Sequence, residues 1–216
     1  MRVIAGTARS MPLKTPTGDG TRPTVDRIKE TLFNVIQTEV PGAVFADFFS
    51  GSGAIGIEAL SRGASRAYFI EKAKEPLACI EENLRFTKLY DRAVVLKQDA
   101  FAAAASIAEK HLDVIFIDPP YGKGYEERLL SLLRERPCVD AETLFIVEET
   151  REKDFSYLPA LGYVMEKQKK YKTNQHVFLR LADRNRGKNE KSNLPRELRS
   201  RNLRTSGHHR ARKRNL

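Results

Sequence analysis

The chain of 216 residues has no tryptophan, three methionines and two cysteines. Cys79 and Cys138 stand 59 positions apart, which gives neither a disulfide framework nor the paired spacing of a zinc site. His208-His209 has no cysteine or acidic neighbour, so no metal is expected. No apolar run approaches the ~20 residues that span a bilayer. The opening MRVIAGTARSMPLK lacks the apolar stretch of a secretory signal. Membrane-spanning and disulfide-stapled classes are thereby excluded, and a cytoplasmic protein with no membrane partner is expected. No internal repeat is visible, and nothing demands a dimer, so a monomer is expected.

What is present is a foldable core and an uneven charge. Hydrophobic residues make up 41% of the chain, enough to exclude a wholly disordered one. The net charge is +10 and the pI about 9.7, which points to a polyanionic partner, nucleic acid first. The excess is local. Residues 184–216 carry 12 basic and two acidic residues, whereas 1–183 carry 26 of each. The 184–216 segment has no aromatic residue and few leucines, so it cannot offset the entropy of folding. Three parts follow: an arm at 1–22, a folded domain at 23–183 and a disordered basic tail at 184–216.

The arm is rich in Gly, Pro and Thr, with β-like runs at 2–5 and 11–14 that suggest a small β-hairpin or an extended arm. Residues 24–39 read as a helix with Thr24 as N-cap and Ile28, Leu32, Val35 and Ile36 on one face. Strands are then expected at 44–49, 66–71, 93–98, 112–118 and 143–148, alternating with helices at 54–61, 74–87, 100–110 and 126–136. This alternation implies a parallel sheet covered on both faces. Strands at 163–169 and 176–181, joined by a short turn, must be antiparallel to each other. The expected fold is α/β and Rossmann-like, of the class I methyltransferase type: a mostly parallel seven-stranded sheet whose last strand is antiparallel.

Two motifs carry chemistry. Asp47-Phe48-Phe49-Ser50-Gly51-Ser52-Gly53-Ala54-Ile55-Gly56 sits where strand one meets a helix. Glycines there allow a sharp turn and close approach to a ligand, and the helix start offers free N–H groups. Glu71 ends strand two about twenty residues on, where a carboxylate can grip ribose hydroxyls. The pair indicates an adenosine-containing cofactor without saying which. Asp99, followed by Ala100, begins the helix after strand three, where it can accept from an adenine amino group, cap the helix, or both.

Asp118-Pro119-Pro120-Tyr121 ends strand four, beside the ligand crevice of an open sheet. An exocyclic amino nitrogen is a poor nucleophile because its lone pair is delocalised into the ring. The Asp118 carboxylate and the Pro119 carbonyl can hold its two N–H bonds so that the lone pair faces a methyl donor. Tyr121 offers a face for the base to stack on.

Taken in order, DFFSGSGAIGIEALSRGA, the Glu71 strand end, QDAF and DPPY resemble the RsmD-type methyltransferases. The opening RVIAG, then Arg22-Pro23-Thr24 and Thr31-Leu32-Phe33-Asn34, match the same family, so the resemblance covers nearly all of 1–183. It implies S-adenosylmethionine as cofactor and methylation of N2 of one guanine (nucleotide 966) in bacterial 16S rRNA, free or in a small-subunit assembly particle. It further implies that Gly51, Gly53, Glu71 and Asp99, with Asp47 and Ala100 beside them, hold the cofactor. Asp118, Pro119 and Tyr121 would hold the target, and Arg22 and Thr24 would lie near cofactor or RNA. The long basic tail departs from the family pattern.

Lys169, Lys170 and Lys172 fall near the carboxyl end of strand six, on the same sheet edge as Asp118, and are candidate RNA contacts. Three rival functions stay open from the residues alone. DPPY also suits adenine-N6 methylation of DNA or RNA. GSGAIG with Glu71 also suits an NAD(P) oxidoreductase. A non-catalytic RNA-binding factor could keep a relic pocket.

Overall fold

A computed structural model describes residues 1–17 and 23–182. The expectations for Arg22 and for the 184–216 tail lie outside these residues, as does the Thr24 side chain. None of the described helices is long and apolar enough to cross a membrane.

Seven strands form one sheet: β1 (Val44–Phe48), β2 (Arg66–Glu71), β3 (Ala93–Lys97), β4 (Val114–Ile117), β5 (Leu144–Thr150), β6 (Tyr163–Lys170) and β7 (Asn174–Leu181). Their order is β3-β2-β1-β4-β5-β7-β6. Strands β1 to β5 are parallel, and β7 is antiparallel to both of its neighbours. In register, Phe48 is level with Ile70 and Ile117, and Ile117 with Val147, so β1, β2 and β4 end together while β5 runs on to Thr150. The order reverses between β1 and β4, and that reversal opens a crevice at their carboxyl ends.

Successive strand residues face opposite sides, so a strand covered on both sides must be apolar throughout. VIFI in β4 is fully buried for that reason. On one side pack α1 (Pro23–Val35), α2 (Ala54–Ser61), α3 (Lys74–Phe86) and the arm, around Leu32, Phe33, Phe45, Phe69 and Phe116. On the other pack α4 (Ala100–Ser106) and α5 (Tyr125–Leu133), around Phe48, Ile115, Leu129 and Phe145. The edge strand β6 buries only Tyr163, and its remaining residues, four of them lysine or glutamate, stay exposed. Charged side chains on such an edge discourage further strand pairing.

Two local expectations shift, at α1 and α4. Helix α1 begins at Pro23, so Thr24 lies inside the first turn rather than capping it. Proline's fixed φ suits the first helical position, where no N–H is needed. Helix α4 stops at Ser106 because Ile107 leaves the helix (ψ 120°) and buries itself in the core. The arm folds back on itself as a small hairpin: Arg2 bridges Pro12, the Val3 amide donates to Met11 (3.0 Å), Leu13 to Met1 (2.9 Å) and Ser10 to Val3 (2.8 Å).

Side chains of α2 hold the arm to the body. Glu58, fully buried, accepts from the amides of Ile4 (2.8 Å) and Ala5 (3.0 Å) and pairs with Lys29 (3.2 Å) and Arg62 (2.7 Å). Burial lowers the Lys29 ammonium below its usual range, although Glu58 opposes this. Ser61 bonds Ala5 and Ala8, and a Cβ on Gly6 would stand 1.8 Å from the Ser61 carbonyl oxygen. The RVIAG run and the GIEALS run are therefore two halves of one joint.

Candidate active site

The turn from β1 into α2 reverses through three left-handed residues, Phe49 (φ 62°), Gly51 (φ 53°) and Gly53 (φ 76°). Ser50 ties it to β2: its amide donates to the Ile70 carbonyl (3.0 Å), and its hydroxyl accepts from the Ile70 amide (2.9 Å). Behind the turn, Asp47 accepts from the Gly56 amide (3.0 Å). Burial, with the charge of Glu71, pushes the Asp47 carboxyl up to about 7, while the Gly56 bond opposes the shift. Gly56 must lack a Cβ, which would come within 2.4 Å of the Phe69 ring.

Asp47 lines neither cavity described below, nor does Gly53. These two shape the turn, and Asp47 consumes one of the N–H groups that the sequence reading left free for a ligand. Phe49 is the one non-glycine in the turn held at positive φ, and its ring stacks on Tyr125 (6.2 Å between centroids).

A cleft of about 590 Å³ lies over the carboxyl ends of β1 to β4. Glu71, Asp99, Ala100, Asp118, Pro119 and Tyr121 all line it. Glu71 Oε1 accepts from the amides of Lys72 (2.7 Å) and Ala73 (2.8 Å), and Oε2 accepts from Gly51 (3.2 Å). This fixes the carboxylate at the cleft wall. Asp99 Oδ1 caps α4 through the Phe101 amide (3.0 Å), and Oδ2 pairs with Lys72 (3.3 Å). Burial works against ionisation of Asp99, but the Phe101 amide and Lys72 outweigh it and hold the carboxyl below its usual range. Phe49, Tyr125 and Phe101 form an adjoining aromatic wall, with the Arg128 guanidinium 4.0 Å over Phe101.

A second cavity, of about 580 Å³, opens on the other side of Asp118. Met1, Lys29 and Ile55 line it from one side, and Glu148, Lys172, Asn174 and His176 from the other. Phe49, Asp118 and Tyr121 belong to both cavities, so the DPPY segment stands at their junction. Gly51 faces the second cavity. Of the candidate lysines, Lys172 reaches its rim, while Lys169 and Lys170 lie exposed along β6, outside it.

Three carboxylates crowd this junction. Burial, then the charges of Glu148, Asp47 and Glu149, push the Asp118 carboxyl well above the usual range. Glu148 is the opposite case. Its burial is outweighed by hydrogen bonds and charge from His176, then by Asn174 and Tyr121, so it stays below the usual range. Glu148 Oε2 bonds His176 Nε2 (2.9 Å), and Oε1 accepts from the Asn174 amide and the Tyr121 hydroxyl (3.3 Å). His176 Nδ1 in turn meets the Tyr171 hydroxyl (3.1 Å). Tyr121 keeps its ring 44% exposed, and burial with Glu148 raises its phenol so that it stays protonated.

Sequence reasoning missed Glu148, Asn174 and His176. The available signal was polarity where apolar residues belong: LFIVEET in β5 and NQHVFLRL in β7 both turn polar at one end. Cys79 is half-buried on α3, and burial raises its thiol, which keeps it inert.

With this geometry in hand, comparison with known proteins is decisive. A family model described as conserved hypothetical protein 95 matches residues 1–180. The chain belongs to that family, the RsmD family. It is 37% identical over 154 residues to a candidate rRNA methyltransferase, YlbH, of Bacillus subtilis, covering 70% of this chain and 84% of that one. It is 36% identical over 160 residues to ribosomal RNA small subunit methyltransferase D of Escherichia coli K12, covering 74% and 80%. Among solved structures, a candidate methyltransferase, yhhF, of Escherichia coli superposes with a TM-score of 0.73 at 32% identity, covering 84% of this chain and 98% of that one. As in other RsmD members, the fold is that of a class I methyltransferase.

Proposed function

We propose that this protein transfers a methyl group from S-adenosylmethionine to the N2 amino group of a guanine in small-subunit ribosomal RNA, the position matching nucleotide 966 of 16S RNA. The observation that carries this reading is the place of Asp118 between two cavities of similar size. One suits a donor and the other an acceptor base, and methyl transfer needs the two to meet at one atom.

The cleft over β1 to β4 fits the donor. Its volume is in the range of small-ligand sites. The fixed Glu71 carboxylate suits a ribose diol, Asp99 and Ala100 suit the adenine edge, and the Phe49 and Tyr125 rings, with Phe101 behind Tyr125, supply an apolar wall. S-adenosylmethionine, when bound, supplies an electrophilic methyl group on a sulfonium sulfur.

The chain's own residues do the rest. Asp118 and the Pro119 carbonyl accept the N–H bonds of the target amine and fix its lone pair on the donor side. The amine must shed one proton as its new N–C bond forms. Asp118, with its raised proton affinity, is suited to take it. Tyr121, half-exposed at the junction, offers its ring to the base. Lys172 at the rim and the exposed lysines of β6 are suited to phosphate.

The test is incubation of the protein with labelled donor and small subunits, or their assembly intermediates, that lack the modification. N2-methylguanine is expected on nucleoside analysis. Label in N6-methyladenine would replace this reading with adenine methylation, and binding of NAD in place of the donor would overturn both. The division into arm 1–22, domain 23–183 and basic tail 184–216 has its own test. Removing residues 184–216 should leave donor binding intact and weaken RNA affinity together with its salt dependence.

A further inference from the structure

Holding an amino group does not by itself distinguish guanine from adenine, since both bases carry one. They differ at the ring nitrogen beside it. Guanine N1 bears a hydrogen, whereas adenine N1 presents a lone pair. Whatever faces that position selects the base.

Around Asp118, the second cavity presents acceptors. Glu148 lies on the adjacent strand, close enough for its charge to act on Asp118. Its side chain is 17% exposed, so it is reachable from the cavity that it lines. Three of its roughly four acceptor positions are used, by His176, Asn174 and Tyr121, which leaves about one free. The donors that touch Glu148 are turned to it, and Lys172 stands at the cavity rim. Tyr121 and Asn174 Nδ2 both donate to Glu148, and Lys29 donates to the Arg2 carbonyl (2.7 Å) while paired with Glu58. Asn174, 7% exposed, also lines the cavity, and its Oδ1 accepts no hydrogen bond among the described residues.

We propose that Glu148 reads the N1–H of the target base, beside the Asp118 that holds the amino group, and so selects guanine over adenine. His176 and Asn174 are positioning residues that fix the Glu148 carboxylate and keep it ionised. An adenine seated the same way would turn its N1 lone pair towards a carboxylate, with no proton between them. This inference rests on the reaction proposed above and adds the determinant of base choice.

The experiment compares small subunits reconstituted with 16S RNA that carries either guanine or 2-aminopurine at the target position. 2-Aminopurine keeps the amino group but has no N1–H. The wild-type protein should methylate the guanine particle about 10–100-fold faster (kcat/KM), the discrimination expected when a charged acceptor loses its donor. Glu148→Gln should slow guanine by a similar factor. It should leave 2-aminopurine within about threefold or improve it, because the new amide can donate to an unprotonated N1. Equal wild-type rates on both particles would overturn the inference while leaving the reaction standing. Equal slowing of both particles by Glu148→Gln would do the same. No methylation of the guanine particle by the wild-type protein would instead overturn the reaction, and base selection with it.

Discussion

The two cavities that meet at Asp118 are close in volume and opposite in construction. The cleft proposed for the donor is built from residues at or just past strand ends: Glu71 closing β2, Asp99 and Ala100 after β3, Pro119 and Tyr121 after β4. Its fixed polar groups rest mainly on backbone amides one or two residues away, as with Glu71 on Lys72 and Ala73, with Gly51 and Lys72 as the distant partners. The acceptor-side cavity draws on the arm, α1, β5 and the start of β7, and its polar groups are anchored by side chains from distant segments. Glu148 bonds residues 26 and 28 positions away. A site of the first kind survives wherever the sheet forms. The second depends on docking and strand order, so the two should fail separately.

Asp118 is the point at which that separation should vanish. Asp118→Ala is expected to lower methyl transfer at least 10²–10³-fold, the usual scale for losing one group that stabilises the reacting centre. Titration of donor should change by only a few-fold. Near-full rate in this variant would remove Asp118 from the reaction.

Asp47 tests the turn beneath the donor cleft through pH. Its folded carboxyl keeps a proton up to about 7, while an unfolded one keeps it only to about 4. The folded state therefore binds more protons in that window. The stabilisation is fully present below about pH 4 and is lost as pH rises through about 7. Asp47→Asn can keep the Gly56 bond and removes the titration. Its melting temperature should decline less between pH 4 and 8, with roughly 2–4 kcal/mol of pH dependence removed. An unchanged profile would show that Asp47 is ionised throughout.

Glu71 bears on the donor side alone. Glu71→Ala should weaken donor binding about 10–100-fold, the scale of a charge-assisted hydrogen bond. Rate at saturating donor and affinity for RNA should change little. If RNA affinity fell instead, the assignment of the two cavities would be reversed.

Gly6 bears on the acceptor side. In Gly6→Ala the new Cβ would meet the Ser61 carbonyl, so the arm must shift. A loss of about 1–3 kcal/mol in stability is expected from thermal unfolding. KM for RNA should rise while donor affinity holds, because Met1 of the arm lines only the acceptor cavity. An equal loss of donor affinity would mean that the arm supports both sides.

The lining of the cleft over β1 to β4 was legible because a residue that follows a parallel strand has one available place, the carboxyl edge of the sheet. Glu71, Asp99 and Asp118 could be placed there from strand boundaries good to one or two residues. Asp47 stands apart from the three, lining neither cavity. It belongs to the glycine motif, but as the last inward-facing residue of β1 it braces the turn from behind. Lys169 and Lys170 were placed on the correct edge of the sheet, yet β6 is the outermost strand and carries them away from the cavity.

By itself the sequence determined the number and kind of strands, the antiparallel last strand, the glycine turn and the acidic residues at the strand ends. Each follows from local periodicity and chain geometry. Tertiary structure alone decided that β7 inserts between β5 and β6. That insertion sets Glu148 level with His176, and Thr150 with Asn174, and so builds the acceptor wall. It also decided that a glutamate inside α2 would be the buried anchor of the arm. Both are pairings across long stretches of chain, chosen by which surfaces bury best together, and no spacing along the chain encodes them.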